Sequence, residues 1–233
     1  TLDTASLKTA AISMRGGISG RPVSMVSFAL NYYLAGPAAY GFKLTNLTIH
    51  LLNGICIFVL SMLVLGIQRR RHAPELSPDR LRWISLAVAS VWLLHPLNLT
   101  AVLYVVQRMT SLSALFTLIG LTVYLYGRQR QLVGRSGWGW ILAAFLLFTP
   151  LAALSKENGA LLPVFMLLAE AVLLNFQAPT TKSRFALMGL FAATVILPAA
   201  ALAVYFIYDP SWLLAGYNAR DFTLPERLMT EAR

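Results

Sequence analysis

The sequence predicts an all-α, polytopic membrane protein with about six transmembrane helices, and three observations carry that prediction. Charged residues make up only 12% of the 233 positions, against roughly 25% in soluble domains. Hydrophobic residues make up 58%, with a mean hydropathy of +0.66. These apolar residues fall in long runs, and a run of about 18 or more with few charges is long enough to cross a hydrocarbon core. The net charge of +10 does not point to nucleic acid, because Lys and Arg cluster at the ends of the apolar runs and not along one soluble face. Cys56 is the single cysteine, so disulfide frameworks and cysteine-based zinc sites are excluded within the chain; its position in an apolar run suits packing.

Residues 1–43 read as an outer loop, polar and glycine-rich as far as Gly20. Arg21-Pro22 then opens an apolar, aromatic stretch that Gly36-Pro37 closes, as proline suits a first helical turn and Gly-Pro breaks one. At residues 22–35 this stretch is too short to span and is expected to lie in the interface, with Tyr32 and Tyr33 at headgroup level. Six candidate spans follow, at 44–67, 83–106, 109–127, 138–154, 160–176 and 185–208. His95-Pro96 interrupts the second, so its membrane part is expected to end near Leu94, leaving residues 97–106 re-entrant or interfacial. Pro198 should kink the last span, since proline removes a backbone hydrogen bond. Residues 209–233 form an outer segment leading to a further helix. The chain opens at Thr1 without a methionine, a signal peptide or a first apolar span and closes at Arg233 in polar sequence; both ends read as cuts from a larger protein.

Orientation follows from the loops. Arg69, Arg70, Arg71, Arg80 and Arg82 follow the first span, Arg128, Arg130 and Arg135 the third, and Lys182 and Arg184 the fifth. These short loops alternate, so they share one side, which the positive-inside rule makes cytoplasmic. The other nine cations are spread over longer segments that also carry Asp209, Asp221, Glu226 and Glu231.

Two groups of polar residues could carry chemistry. Lys43, Asn46, His50 and Asn53 are spaced by three, four and three residues, which places them on one stripe of a helix. Such a stripe avoids lipid, and it reads either as a functional face or as interhelical hydrogen bonding. The second group flanks the outer turns: His95, Gln107 and Arg108 after the second span, and Ser155-Lys156-Glu157-Asn158-Gly159 between the fourth and fifth. Lys and Arg bind phosphate as a point charge or a bidentate fork, so Arg108 and Lys156 are candidates to hold a lipid-linked phosphate. A Lys156–Glu157 or Arg108–Glu157 pair that only closes a turn is the plainer reading. Glu170, inside the fifth span, is expected to snorkel or to pair with a basic loop residue. No Gly-rich phosphate loop, His-Glu-x-x-His helix or Gly-x-Ser-x-Gly elbow occurs, which argues against nucleotide hydrolysis, zinc proteolysis and an ordinary serine hydrolase.

The runs GRPVSMVSFALNYY at 20–33 and GFKLTNLTIHLLN at 41–53 resemble the first outer loop and second membrane helix of transmembrane-and-tetratricopeptide-repeat protein O-mannosyltransferases and their bacterial relatives. HPLNLTAV at 95–102, VVQRMTSLSALF at 105–116 and LSKENG at 154–159 continue the resemblance in order and spacing, and the tail RLMTEAR at 227–233 is similar to the segment before that family's next membrane helix. The resemblance implies a GT-C helical bundle. It also implies a sugar donor carried on polyprenyl phosphate, taken on the outer or lumenal side, and an acidic catalytic base early in the first outer loop. That base is expected before Thr1; Asp3 sits at a variable helix-start position and is not assigned the role. Thr100 stands where the family often has a glutamate, which leaves the turn with fewer charges. Tetratricopeptide repeats are absent from these residues.

The expected function is that of a membrane glycosyltransferase moving a sugar from a polyprenyl-phosphate donor to a protein or glycan acceptor, in a multi-pass protein of a bacterial inner membrane with its active side periplasmic. The alternative is a non-enzymatic transporter or assembly subunit for lipid-linked sugars. Donor-site candidates are Arg108, Lys156, Glu157, His95, Gln107, His50, Asn46 and Arg21. No cofactor is named by the sequence, no divalent metal is predicted, and no nucleic-acid partner is expected.

Overall fold

The computed structural model describes residues 4–13, 20–209 and 223–231, and its regular structure is entirely helical among them. The chain divides into two compact units, Thr1–Arg184 and Phe185–Arg233. The first holds α1 (Thr4–Ile12), α2 (Pro22–Ala35), α3 (Ala39–His72), α4 (Pro78–Leu94), α5 (Leu99–Leu103) and α6 (Arg108–Leu132), followed by α7 (Trp138–Ser155) and α8 (Glu157–Leu174). Most of α9 (Thr181–Tyr208) belongs to the second unit, as does α10 (Leu224–Glu231). Asp3 and Asp221 lie outside the described residues.

Five helices are long and apolar enough to cross a membrane: α3, α6 with its leading turn from Val105, α7, α8 and α9. A sixth span is completed if α4 and Pro96–Leu103, bent by 54° from each other, are taken as one. The protein is therefore an all-α, multi-pass membrane protein.

Local chemistry explains the boundaries. Ser77 caps α4 by accepting from the Arg80 N–H at 3.2 Å, with Pro78 and Asp79 in the first turn, where a missing N–H and a negative charge both suit the helix. Arg69, Arg70, Arg71 and His72 fill the last turn of α3 and favour its negative dipole end. At the other end of α4, Pro96 cannot donate, and the chain passes through a 3-10 turn at Pro96–Asn98, the short α5, and another at Val105–Gln107.

Prolines inside spans are absorbed differently. A π-helical turn at Ala144–Phe148 precedes Pro150, and another at Ala192–Ile196 precedes Pro198, each rearranging the ladder where an N–H is missing. The kink expected at Pro198 thus takes the form of a widened turn within one continuous span. A third π turn, Glu170–Leu174, ends α8, and Asn175 and Phe176 follow at φ +50° and +53°.

Three expectations are corrected. The stretch up to Gly20, read as loop, contains α1. Arg128, read as a loop cation, lies inside α6, which runs past Gly127 to Leu132. The turn at 155–159 shrinks to one extended residue, Lys156 (φ −159°, ψ 146°), between α7 and the 3-10 opening of α8. That tight return needs Gly159, because a Cβ there would lie 2.1 Å from the Ala152 carbonyl carbon.

Helix α6 is the centre of the first unit, packed against α3, α7 and α8. Its Leu112 and Leu115 form a buried cluster with Ile49 of α3, against which Val23, Cys56, Phe116 and Ile119 pack.

Candidate functional site

The polar stripe of α3 meets one continuous partner, the broken segment between Leu93 and Ser111. Pro96 ends the α4 ladder, and the Leu97 N–H turns to His95 Nδ1 at 3.3 Å, so the Leu93 carbonyl loses its helical donor. His50 Nε2 supplies one at 3.0 Å, its ring stacked on Trp92 at 5.1 Å. Asn46 Nδ2 donates to the carbonyls of Tyr104 (3.1 Å) and Val102 (3.4 Å), and Asn53 Nδ2 to that of Ser111 (3.0 Å). Buried carbonyls without donors are costly away from water. The stripe is therefore a hydrogen-bond template for irregular backbone at membrane depth. Lys43 does not join it and is exposed.

Arg108, at the start of α6, is fully buried. Its Nε donates to Asn46 Oδ1 at 2.8 Å, and its terminal nitrogens donate to Asn31 Oδ1 (2.6 Å) and to the carbonyls of Phe42 (2.9 Å) and Ser27 (3.3 Å). The guanidinium also lies 4.7 Å from the Phe28 ring centroid and 5.4 Å from that of Phe42, a cation–π arrangement. Four oxygens and two aromatic rings leave no open edge for a phosphate. Arg108 pairs with these oxygens and not with Glu157; it holds α2 and α3 against α6.

Arg21, Glu157, Lys156 and Gln107 come together around the same end of α6. Arg21, whose backbone is left-handed at φ +50°, grips Glu157 as a fork, with Nε 3.1 Å from each carboxylate oxygen and a terminal nitrogen 3.0 Å from Oε2. Another Arg21 nitrogen reaches Met109 Sδ at 3.4 Å. The pair is partly open, at 21% and 31% side-chain exposure, so a ligand can approach it where none can approach Arg108. Lys156 donates to Thr110 Oγ1 at 2.7 Å, and that hydroxyl donates to Gln107 Oε1 at 3.0 Å. An ammonium carries three donors, and Lys156 makes no other hydrogen bond among the described residues. Ser24 Oγ, buried, donates to the Ser155 carbonyl at 2.8 Å and fastens α2 to the α7–α8 return. His95 stands apart, exposed at the α4 break.

Asn31, Thr110, Met109 and Ser24 were not singled out by sequence. Thr110 alone carried a local signal, one helical turn beyond Gln107. Among the described residues no group of three or more His, Cys, Asp or Glu could hold a metal ion.

At the opposite end of α6 lies a second polar network. Arg128 and Glu170, both 0% exposed, form a bidentate pair at 2.8 and 2.7 Å. Tyr124 Oη donates to Glu170 Oε2 at 2.5 Å, and Arg128 also reaches Gln131 Oε1 and the Gln177 carbonyl, each at 2.5 Å. Arg71 of α3 donates to Gln177 Oε1 at 2.7 Å. Glu170 therefore pairs and does not snorkel, and its partner is a helix residue.

No family model matches the chain, and no solved structure matches it. Human protein O-mannosyl-transferase TMTC4 is 32% identical over 152 residues, which cover 60% of this chain. The chain spans about a fifth of that relative's length, 19% of it being aligned. The protein is a helical multi-pass membrane protein similar, over that region, to a protein O-mannosyl-transferase.

Proposed function

We propose that the protein takes part in membrane glycosyl transfer, moving a sugar from a polyprenyl-phosphate carrier to a protein or glycan on the outer face of the membrane. The similarity to an O-mannosyltransferase carries this reading. The arrangement around Lys156 supports it: a cation with two unused donors beside a partly open Arg–carboxylate pair suits a phosphate leaving group. In this reading Lys156 contacts the donor phosphate. Arg21 borders it, Glu157 orients the Arg21 fork, and Gln107 sets Thr110, which positions the ammonium. Arg108, Asn46 and His50 hold the surrounding helices in register, and His95 shapes the adjoining turn. Glu157 is held by Arg21, so the general base is assigned to a carboxylate outside this cluster.

The test is Lys156→Ala in the full-length protein, with transfer rate and folded yield measured together. A lost hydrogen bond to a charged group costs about 1.5 to 3 kcal/mol, roughly one to two decades in donor binding. The proposal expects that loss with normal folded yield. A poorly folding variant with full activity per molecule would instead make Lys156 a turn-closing residue.

A further inference from the structure

Helices α3 and α6 run side by side in the same direction, fixed by the Asn53–Ser111 bond and the shared Ile49–Leu112–Leu115 cluster. Toward their basic ends Val59, Met62, Leu63, Thr122, Val123, Tyr126 and Trp140 line an apolar groove of about 370 Å³. That volume is within the roughly 300–1,000 Å³ of small-molecule sites. Helical spacing carries both walls onward to a cation. On α3, positions 59, 62, 63, 66 and 70 form one stripe, and on α6 so do 122, 126 and 130. Gly66 leaves its place open, since a Cβ there would have nothing within 4 Å. Arg70 is exposed and has no hydrogen-bond or ion-pair partner among the described residues. Arg130 donates its Nε to the Ser136 carbonyl at 3.0 Å and sits 5.9 Å from the Tyr126 ring centroid, so its terminal nitrogens remain available. Tyr126 and Trp140, edge to face at 5.3 Å, mark the level at which aromatic side chains meet headgroups.

We infer that this groove binds one anionic phospholipid from the leaflet on the basic side, its acyl chain between α3 and α6 and its phosphate at Arg70 and Arg130. The occupant follows from complementarity: an apolar trough at membrane depth, an aromatic pair at its mouth and two cations beyond it match chain, interface and headgroup in order. A neutral lipid matches only the first two. The inference is independent of the glycosyl-transfer reading, since it concerns the other end of the bundle.

The full chain in detergent is exposed to equal amounts of phosphatidylglycerol and phosphatidylcholine, and retained lipid is counted by native mass spectrometry. Phosphatidylglycerol should be preferred. Arg70→Gln and Arg130→Gln should each lower its retention about fivefold, as expected for one cation near a membrane surface, with phosphatidylcholine unaffected and Arg130→Lys retaining most of the effect. Gly66→Leu places a side chain in the open trough without meeting protein; it should reduce retention of both lipids while leaving the lipid-free melting temperature unchanged or higher. Equal retention of the two lipids, indifference to the arginine substitutions, or unchanged binding in Gly66→Leu would overturn the inference. So would a protein helix found seated in the groove.

Discussion

Replacing Glu170 with alanine leaves the Arg128 guanidinium fully buried with only Gln131 Oε1 and the Gln177 carbonyl as hydrogen-bond acceptors, and takes the carboxylate from Tyr124. Breaking a buried ion pair on one side costs about 3 to 5 kcal/mol, because an uncompensated charge is left behind. For a chain of this length each kcal/mol moves the melting temperature by roughly 2 to 4 °C, so Glu170→Ala should lower it by about 6 to 20 °C. Thermal unfolding in one fixed detergent, followed by loss of helical circular dichroism, reads the shift. The counterpart is the triple variant Tyr124→Phe, Arg128→Met, Glu170→Leu, which removes both members of the ion pair and the hydroxyl bonded to it and should recover most of the loss. A shift no larger than exposed ion pairs give, under about 1 kcal/mol, would mean that water reaches the pair and that the network does not join α6 to α8. Failure of the triple variant to recover would show that the charges, and not their mutual compensation, support the fold.

Other substitutions probe the remaining contacts. His50→Phe keeps a ring on Trp92 but leaves the Leu93 carbonyl without its donor; a loss of about 1 to 3 kcal/mol is expected in the same melt, with His50→Gln partly restoring it. Asn46→Leu removes the acceptor of Arg108 Nε and the donor to two carbonyls, and should be more damaging than Asn53→Leu, which removes one bond; equal effects would argue against the template role. Gly159→Ala forces a Cβ into the Ala152 backbone and should sharply reduce folded yield, whereas Gly66→Ala, in open space, should not. Single cysteines beside Arg70 and beside Lys156, in a cysteine-free background, should label from opposite sides of the membrane.

Hydropathy made the fold class legible because the bilayer permits few alternatives: backbone at depth must satisfy itself, so apolar runs of span length become helices. The α3 stripe was legible from spacing, and the break at His95-Pro96 from the missing N–H. The partners were not. Arg21 and Glu157 are 136 residues apart, and nothing local to either marks the other. Arg128 was misread for a physical reason: a cation near the end of an apolar run looks the same whether it faces the headgroups or a carboxylate 42 residues away. Arg108 shows the same ambiguity in chemistry. A fork that fits phosphate also fits two asparagine oxygens and two carbonyls, and only the placement of Asn31 and Asn46 decides between them.

The α3 template sets an order of events for biogenesis. The segment from Leu93 to Ser111 is broken into short helical pieces, and its Leu93 carbonyl lacks the helical donor that Leu97 would give, so it is a poor candidate to leave the insertion machinery for lipid alone. Its donors Asn46, His50 and Asn53 lie on a helix synthesised earlier, continuous and long and apolar enough to cross the bilayer. The order of the chain thus matches the order in which the membrane can accept its parts: the regular helix arrives first, and the irregular one folds against it.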